Sequence, residues 1–421
     1  MQKRTVGLLS VTGALLLGAV SACGTSSSGG GGSSSCTGTV TVATELPTSG
    51  ADASDGVPTQ NGAQLAVTQA NNNHMLNGCT VNLVSKDDAS VALGKHDPNQ
   101  GAANMTALAA NQAVVGVVGP FNSNVCQAEE PIANNAGLVQ VSPSCTNPGL
   151  TIPGASSFDT KALRPTGKLT FFRVCTTDIS QSAGLAQEAK SLGLSKAFVF
   201  DDQETYGQGL ATRFAQDFKQ GGGTVVGTSS LPGTTTDFTP DLAKAKSAGA
   251  DLIFFGGVSS TGGGKMRAQM ANAGLGSNVQ FMGGDGIVDK EFLTDAGSAA
   301  NGAYGTTASP DATKLSSAAS FASAYQSAYG SAPGAYSANA YDAMNIVLKA
   351  IQEAINANGG KLPTNPQSFR ETVRANVASI SYNGAIGHTS FDNNGDTNNK
   401  ILTLYQVKNN AWASVKNITV S

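Results

Sequence analysis

Two polar loops in the first half of the chain carry groups suited to holding the anionic end of a small molecule. Ser123 lies in the first loop, and Ser144 and Thr146 lie in the second. Their hydroxyls can donate hydrogen bonds, and a helix expected to begin near Asn124 can offer free backbone N–H groups to an anion. A carboxylate, Asp285, ends an apolar run much later in the chain. Asp285 also suits an Asx turn, because Asp is common in turns.

Both loops follow short apolar runs, residues 114–118 and 138–142, whose β-branched content is typical of strands buried on both faces of a parallel sheet. The residues between them, 125–136, have apolar side chains near helical spacing. We therefore expect a strand, a helix and a strand. In open α/β sheets, ligands bind outside the carboxyl ends of the strands, beside a switch in strand order. Both loops are predicted at such a place.

Strand and helix patterns alternate on either side of this stretch. Strands are expected at 39–44 and 80–85, separated by a helix at 61–73. The alternation resumes after a connecting strand at 169–177 and continues to about residue 283, which predicts a second parallel sheet. The end of the chain has the pattern of a hairpin.

The N-terminus has the features of an export signal. Residues 1–22 contain Lys3 and Arg4, then an apolar run too short to span a bilayer comfortably. Small residues precede Cys23, as in a bacterial lipobox, so we expect Cys23 to be lipidated; an ordinary signal cleaved nearby is the alternative. Residues 23–35 would then form a flexible tether.

The composition excludes several classes of function. Loss of Lys3 and Arg4 with the signal reduces 25 basic residues to 23, against 28 acidic ones. No basic block appears, so nucleic acid is not expected as a partner. The three histidines are isolated, and no spaced metal ligands or activated nucleophile are visible. We expect no metal, no cofactor and no enzymatic activity.

Five cysteines remain after Cys23 in an exported chain, where disulfides are the default. Cys36 and Cys79 each precede a strand, and those strands should be parallel neighbours, so we expect these two to pair. Cys145 is expected to pair with Cys175, with Cys126–Cys145 as the alternative.

Two segments carry a resemblance to a known family: G-P-F-N-S at 119–123 and A-G-L-V-Q-V-S-P-S-C-T-N-P-G-L-T at 136–151. They resemble the first lobe of type 1 periplasmic binding proteins, nearest to the leucine/isoleucine/valine-binding receptors of ABC importers. The resemblance extends from about Thr39 to about Val407, with further matches at 202–209, 281–286 and 391–396.

The resemblance implies an α/β fold with two lobes, each a mostly parallel sheet flanked by helices, joined by three hinge crossings. Lobe 1 would comprise 36–176 plus 308–386, and lobe 2 would comprise 177–307 plus 387–421. The crossings would lie near 175–178, 304–309 and 384–388. We expect a monomer that captures a small ligand and delivers it to a membrane permease, outside the cytoplasm and attached to the cell membrane by its lipid.

The resemblance also assigns roles at the cleft. Asp285, followed by Gly286, would receive the α-ammonium of the ligand. Ser123 and Thr146 would hold its α-carboxylate. The other implied contacts are Asn122, Ser144, Cys145, Tyr206, Val258 and Tyr336. Tyr206 would close over the ligand, and Val258 stands where the leucine-type receptors carry an aromatic side chain.

The expected ligand is an α-amino acid with a branched or other apolar side chain. Amides, urea and aromatic carboxylates, which relatives of this fold also bind, are the alternative, as is a role in sensing. Asp285 argues against a plain carboxylic acid, because two unpaired carboxylates facing each other in a buried site would be costly.

Replacing Cys23 by Ser is expected to release the protein from membranes, because the lipid would have no attachment point. Membrane fractionation with labelled palmitate checks this. A Cys23→Ser variant that stays in the membrane fraction and still incorporates label would contradict the lipobox interpretation.

Overall fold

The computed structural model describes residues 35–420 of the chain, so the predicted signal peptide, Cys23 and most of the tether lie outside the described residues. The first part of the described chain alternates strands and helices. Its elements are β1 Thr39–Leu46, α1 Ala53–Asn72, β2 Thr80–Asp87, α2 Pro98–Ala110, β3 Val114–Val118, α3 Ser123–Asn135, β4 Val139–Ser142, α4 Thr160–Leu163 and β5 Phe171–Arg173.

These strands form one parallel sheet in the order β2-β1-β3-β4-β5. Every residue of β3 and β4 is buried, as their continuous apolar runs predict. The order reverses between β1 and β3, which puts the loop after β3 at the switch point. The first predicted binding loop therefore lies where ligands bind in open α/β sheets.

The next part of the chain builds a second sheet in the same way. Its elements are α5 Asp178–Ser191, β6 Lys196–Asp201, α6 Thr205–Gln220, β7 Thr224–Ser230, α7 Thr239–Ser247, β8 Leu252–Gly256, α8 Gly263–Gln269, β9 Gln280–Gly283, α9 Lys290–Ala296 and β10 Tyr304–Thr307.

The chain then returns to the first sheet before it ends on the second. The remaining elements are α10 Ala319–Tyr329, α11 Ser337–Ala357, α12 Pro366–Ala378, β11 Tyr382–Gly384, β12 Gly387–Thr389, β13 Ile401–Lys408 and β14 Ala411–Thr419. α10, α11 and α12 pack on the first sheet in one core with α1. β13 and β14 form the predicted hairpin, and β13 pairs antiparallel with β10, so the strand order of the second sheet is β14-β13-β10-β9-β8-β6-β7.

We call the part around the five-stranded sheet the first lobe and the part around the seven-stranded sheet the second lobe. Both sheets have apolar side chains packed on both faces, as expected for parallel sheets covered by helices. Within residues 35–420, no helix is long and apolar enough to cross a membrane.

The chain crosses between the lobes after β5, after β10 and before β13. The first two crossings lie side by side, where the Thr176 N–H donates to the Ala308 carbonyl at 2.8 Å. The third comes later than the expected 384–388. Phe391 packs on Phe172, and Asp396 forms an ion pair with Arg173 at the end of β5. The segment up to about residue 397 thus belongs with the first sheet, because its aromatic and charged partners are there.

Helix α1 also departs from its predicted bounds, since it begins at Ala53 and not at residue 61. Gly56 and Pro58 interrupt the apolar pattern of its first two turns. Gly56 is required there, because a Cβ atom would lie 1.7 Å from the Pro47 carbonyl oxygen. The start of α1 is therefore pressed against the loop that follows β1.

The disulfides agree with the sequence prediction at one pair and differ at the other. Cys36 pairs with Cys79, as predicted from the parallel pairing of β1 and β2. The expected Cys145–Cys175 bond is wrong: Cys145 pairs with Cys126, and Cys175 is a buried free thiol. Cys145 points into the cluster that contains Cys126 and α4, whereas Cys175 points to the opposite side, toward Tyr336.

We expect the Cys36–Cys79 bond to stabilise the fold more than the Cys126–Cys145 bond, because it closes a longer loop. The sequence separations are 43 and 19 residues. On the chain-entropy model, double Cys→Ala variants should lose about 4 and about 3 kcal/mol of unfolding free energy respectively. Denaturant titration measures both. Alkylation of the protein after it has been unfolded without reductant should label Cys175. Labelling of Cys126 or Cys145 would contradict the pairing.

Candidate ligand-binding site

A cavity of about 30 Å³ lies between the lobes at the carboxyl ends of both sheets. Its wall is built from loops after β3, β4, β8 and β9, the starts of α1 and α6, and the segment before α11. The lining residues are Asp55, Phe121, Asn122, Ser123, Asn124, Ser144, Thr146, Glu204, Tyr206, Val258, Asp285, Gly286, Val288, Ala335 and Tyr336.

Nine of the ten residues predicted at the cleft line this cavity, and the exception is Cys145. The Cys145 sulfur is bonded to Cys126 behind the loop, so this side chain supports the wall and does not face the cavity. The prediction missed Asp55, Phe121, Glu204, Val288 and Ala335, and it named Asn124 only as a helix start. Asp55 lies in the first turn of α1, and a polar residue at that position of a helix was the sequence signal that could have identified it. The signal was missed because the sequence pattern predicted that α1 begins at residue 61.

Hydroxyl groups join the two loops of the first lobe. The Ser142 hydroxyl donates to the Pro120 carbonyl at 2.7 Å and accepts from the Cys145 N–H at 2.9 Å. The Ser144 hydroxyl donates to the Phe121 carbonyl at 2.9 Å. The Asn122 side chain makes no capping bond to α3, and the Val125 N–H donates to Asn124 Oδ1 at 2.9 Å, so the N–H groups of Ser123 and Asn124 remain for a ligand.

A buried arginine fixes the second loop from behind. The Arg173 guanidinium donates to the carbonyls of Cys145 and Asn147, both at 2.8 Å, and also to the Thr151 hydroxyl. Asp396 neutralises its charge through a 2.6 Å contact. The carbonyls of Cys145 and Asn147 thus face Arg173, and the Thr146 carbonyl accepts from the Asp178 N–H at 3.0 Å, while the Thr146 side chain lines the cavity.

Asp285, on the second lobe, is held by three neutral donors. Its Oδ1 atom accepts from the Tyr206 hydroxyl and from Gln181 Nε2, each at 2.7 Å. Its Oδ2 atom accepts from the Tyr336 hydroxyl at 2.6 Å. Since Tyr336 precedes α11 of the first lobe, this last bond crosses the cleft. Gln181 was not predicted, because it supports Asp285 without lining the cavity.

Burial raises the pKa of Asp285, and the hydrogen bonds from Tyr336, Gln181 and Tyr206 offset this only in part. No cation among the described residues pairs with the carboxylate. Burial also raises the pKa of Asp178 to about 8, with a further contribution from the charge of Asp285. A cationic group entering the cavity would therefore find an acceptor that lacks a counter-ion.

The backbone at Asp285 lies close to Tyr206 because a glycine precedes it. A Cβ atom on Gly284 would lie 2.4 Å from the Tyr206 hydroxyl. Any other residue there would push the ring away from Asp285.

A cluster of charged and polar residues joins the lobes beside the cavity, and we call it the interlobe cluster: Asp52, Lys95, His96, Asn124 and Glu204. His96 Nδ1 lies 2.7 Å from Asp52, and His96 Nε2 lies 2.7 Å from Glu204. Lys95 pairs with Glu204, and Asn124 donates to it at 3.2 Å. Glu204 belongs to the second lobe and the other four residues belong to the first, so the bonds of Glu204 join the two lobes.

Burial opposes the charged form of His96, but Asp52 and Glu204 together raise its pKa to about 10. The pKa of Glu204 is lowered, because His96 and Lys95 outweigh the effect of its burial. The cluster is therefore ionised at neutral pH. Among the residues that the structure describes, no group of three or more His, Cys, Asp or Glu side chains is arranged to hold a metal ion.

A family model described as periplasmic binding protein matches residues 39–411. The chain belongs to this family. This binding protein is 29% identical to Leu/Ile/Val-binding protein homolog 3 of Brucella melitensis over 361 residues, which cover 84% of this chain and 90% of the relative.

Two solved structures share the fold of this binding protein. A leucine-binding protein from Thermotoga maritima is 27% identical, with a TM-score of 0.76 and coverage of 90% of this chain and 99% of that one. A branched-chain amino acid transporter substrate-binding protein from Streptococcus pneumoniae, in complex with isoleucine, is 26% identical, with a TM-score of 0.76 and coverage of 91% and 100%.

The chain is therefore a type 1 periplasmic binding protein of the leucine/isoleucine/valine-binding type, with the two-lobed α/β fold predicted. It is the extracytoplasmic substrate-binding component of an ABC transporter and not an enzyme.

The stability of the folded protein is expected to depend on pH through His96. Because its pKa is raised to about 10, its contribution is complete below the ordinary value of about 6.5 and is lost progressively as the pH rises to about 10. At pH 6, His96→Gln should lower the unfolding free energy by roughly 3 kcal/mol. The difference from the wild type should shrink toward pH 10.

Thermal and denaturant unfolding at a series of pH values measure this difference. His388→Gln is a matched control, since His388 is exposed. A difference that stays constant from pH 6 to pH 10 would show that His96 is not held in its charged form.

Proposed function

We propose that this protein captures an α-amino acid between its lobes and delivers it to the membrane permease of an ABC importer. The proposal depends on one observation, which is that hydrogen-bond donors and a carboxylate acceptor lie on opposite sides of the cavity. Hydroxyls and helix N–H groups come from the first lobe, and a carboxylate without a counter-ion comes from the second. A zwitterion needs donors for its carboxylate and an acceptor for its ammonium, and the two lobes supply them on opposite sides.

The ligand's carboxylate is proposed to bind Ser123, Thr146 and the first N–H groups of α3. Donors at a helix N-terminus favour an anion both by hydrogen bonding and by the helix dipole. The α-ammonium is proposed to bind Asp285. The Asp285 carboxylate, whose hydrogen-bond donors are all neutral, would then gain a charged partner. Tyr206 and Tyr336 would keep the carboxylate in place through their hydroxyls.

Apolar groups line the remaining wall, namely Phe121, Val258, Val288 and Ala335. They suit the aliphatic part of a side chain, in line with the leucine- and isoleucine-binding relatives. A plain aromatic carboxylate would bring a second negative charge to Asp285 without a cation, which is costly in a buried site.

We propose that the lobes comprise 36–176 with 308–397, and 177–307 with 398–421, and that they close on the ligand by bending at the three crossings. A ligand that contacts both lobes stabilises the closed form by its extra contacts there. The bonds of the interlobe cluster would stabilise this closed form further.

We also propose that a signal in residues 1–22 directs export and that a lipid on Cys23 keeps the protein, as a monomer, at the membrane.

Asp285→Asn is expected to weaken amino acid binding by roughly thirty- to several-thousandfold. The substitution keeps the shape of the side chain and removes its charge, which corresponds to a loss of roughly 2–5 kcal/mol for a buried charge pair. A thermal-shift panel of amino acids identifies the ligand first, because a ligand at a hundredfold its Kd stabilises by about 2.7 kcal/mol. Calorimetry then compares the variants.

Asp237→Asn is the control, since Asp237 is exposed and its backbone contacts suit either residue. Near wild-type affinity in Asp285→Asn would reject the ammonium contact.

A further inference from the structure

The cavity wall has more carboxyl groups than one ammonium group could pair with. Its wall includes the carboxylates of Asp55, Glu204 and Asp285, and no lysine, arginine or histidine of the described chain lines it. Glu204 has cationic partners of its own in Lys95 and His96. Asp55 and Asp285 have none.

Asp55 lies in the first turn of α1, on the opposite lobe from Asp285. Its carboxylate accepts no hydrogen bond and forms no ion pair with any residue in the range 35–420. Burial raises its pKa, and the charges of Asp289, Asp52, Glu291 and Asp285 raise it further. Gly56 packs so closely against the Pro47 carbonyl that the start of α1 cannot shift toward the loop after β1.

Closing the cleft brings these carboxylates together from both sides. Asp55 comes from the first lobe, whereas Asp285, Asp289 and Glu291 come from the second. Such like charges repel in a low-dielectric site unless a cation or a proton lies between them. No group of described residues is arranged for a metal ion. The positive charge that would balance these carboxylates can therefore come from an organic ligand.

We propose that the ligand is a basic amino acid, whose side chain ends in a second ammonium group that pairs with Asp55 while its α-ammonium binds Asp285. This inference rests on the amino-acid function proposed above and specifies the side chain. The methylene stem of such a side chain would contact the apolar wall around Val258 and Val288.

Proton release provides a signature of this pairing. A carboxyl group with a raised pKa holds its proton when the cavity is empty, and an entering ammonium favours the ionised form. Binding of a basic amino acid should therefore release more protons than binding of an apolar one, whose single ammonium meets only Asp285, and its affinity should rise with pH through the range in which Asp55 titrates.

Three matched pairs of ligands test the proposal: 2,4-diaminobutyrate with 2-aminobutyrate, ornithine with norvaline, and lysine with norleucine. Within each pair, the two ligands differ at the end of the side chain by an ammonium group. We expect the basic member of at least one pair to bind about tenfold more tightly or better, equivalent to about 1.4 kcal/mol. Its calorimetric enthalpy should depend on the ionisation enthalpy of the buffer.

Asp55→Asn should abolish the preference for the basic member. The matched control is Asp289→Asn, because Asp289 lies beside Asp55 but does not line the cavity, and Asn can keep its cap on α9. Equal loss of the preference in both variants would assign the effect to the general charge of the cleft and overturn the role of Asp55.

Other outcomes separate this inference from the proposed function. If the apolar member binds more tightly in every pair, the second ammonium is rejected and the amino-acid function stands. If no amino acid binds, both fail. Stabilisation by calcium chloride alone, lost in Asp55→Asn, would assign the carboxylates to a metal and overturn the proposal.

Discussion

The Asp285 carboxylate accepts hydrogen bonds from Tyr206, Gln181 and Tyr336, and its burial depends on all three. A buried carboxylate without donors would cost several kcal/mol, so the elements that carry these donors are constrained by it. They are α5, α6 and the segment before α11. The last of these belongs to the first lobe, so one acidic side chain relates both lobes to each other and to the cavity. Gly284 permits this arrangement by letting the Tyr206 ring approach the backbone.

In the first lobe, the loop after β4 is held rigidly with its side chains toward the cavity. Arg173 binds two carbonyls of the loop after β4 and is itself neutralised by Asp396. Those carbonyls are thereby satisfied from behind, and the opposite surface is free for a ligand. The long segment before β13 supplies Asp396, which explains why it stays on the first lobe past residue 390.

The strands and their polar loops followed from the sequence, because continuous apolar runs have a strong pattern, whereas the two-lobed arrangement and most of the cavity wall followed from the resemblance to the periplasmic binding proteins. Ser123, Thr146 and Asp285 lie at strand ends, where the topology of a parallel sheet places ligand contacts. Asp55 did not follow, since Gly56 and Pro58 hide the first turns of α1. Nor did the partner of Cys145, because adjacency along a sheet edge does not reveal the side to which a cysteine points.

The Cys126–Cys145 bond joins the two loops that face the cavity, one through the start of α3 and the other directly. Disulfides persist in oxidising compartments and are rare in the cytosol. A newly made chain that has not been exported therefore carries two separate thiols at this place, and its loops lack the covalent link. Completion of the pocket is thus coupled to export, because the covalent link between its two loops forms in the oxidising compartment where the protein binds its solute.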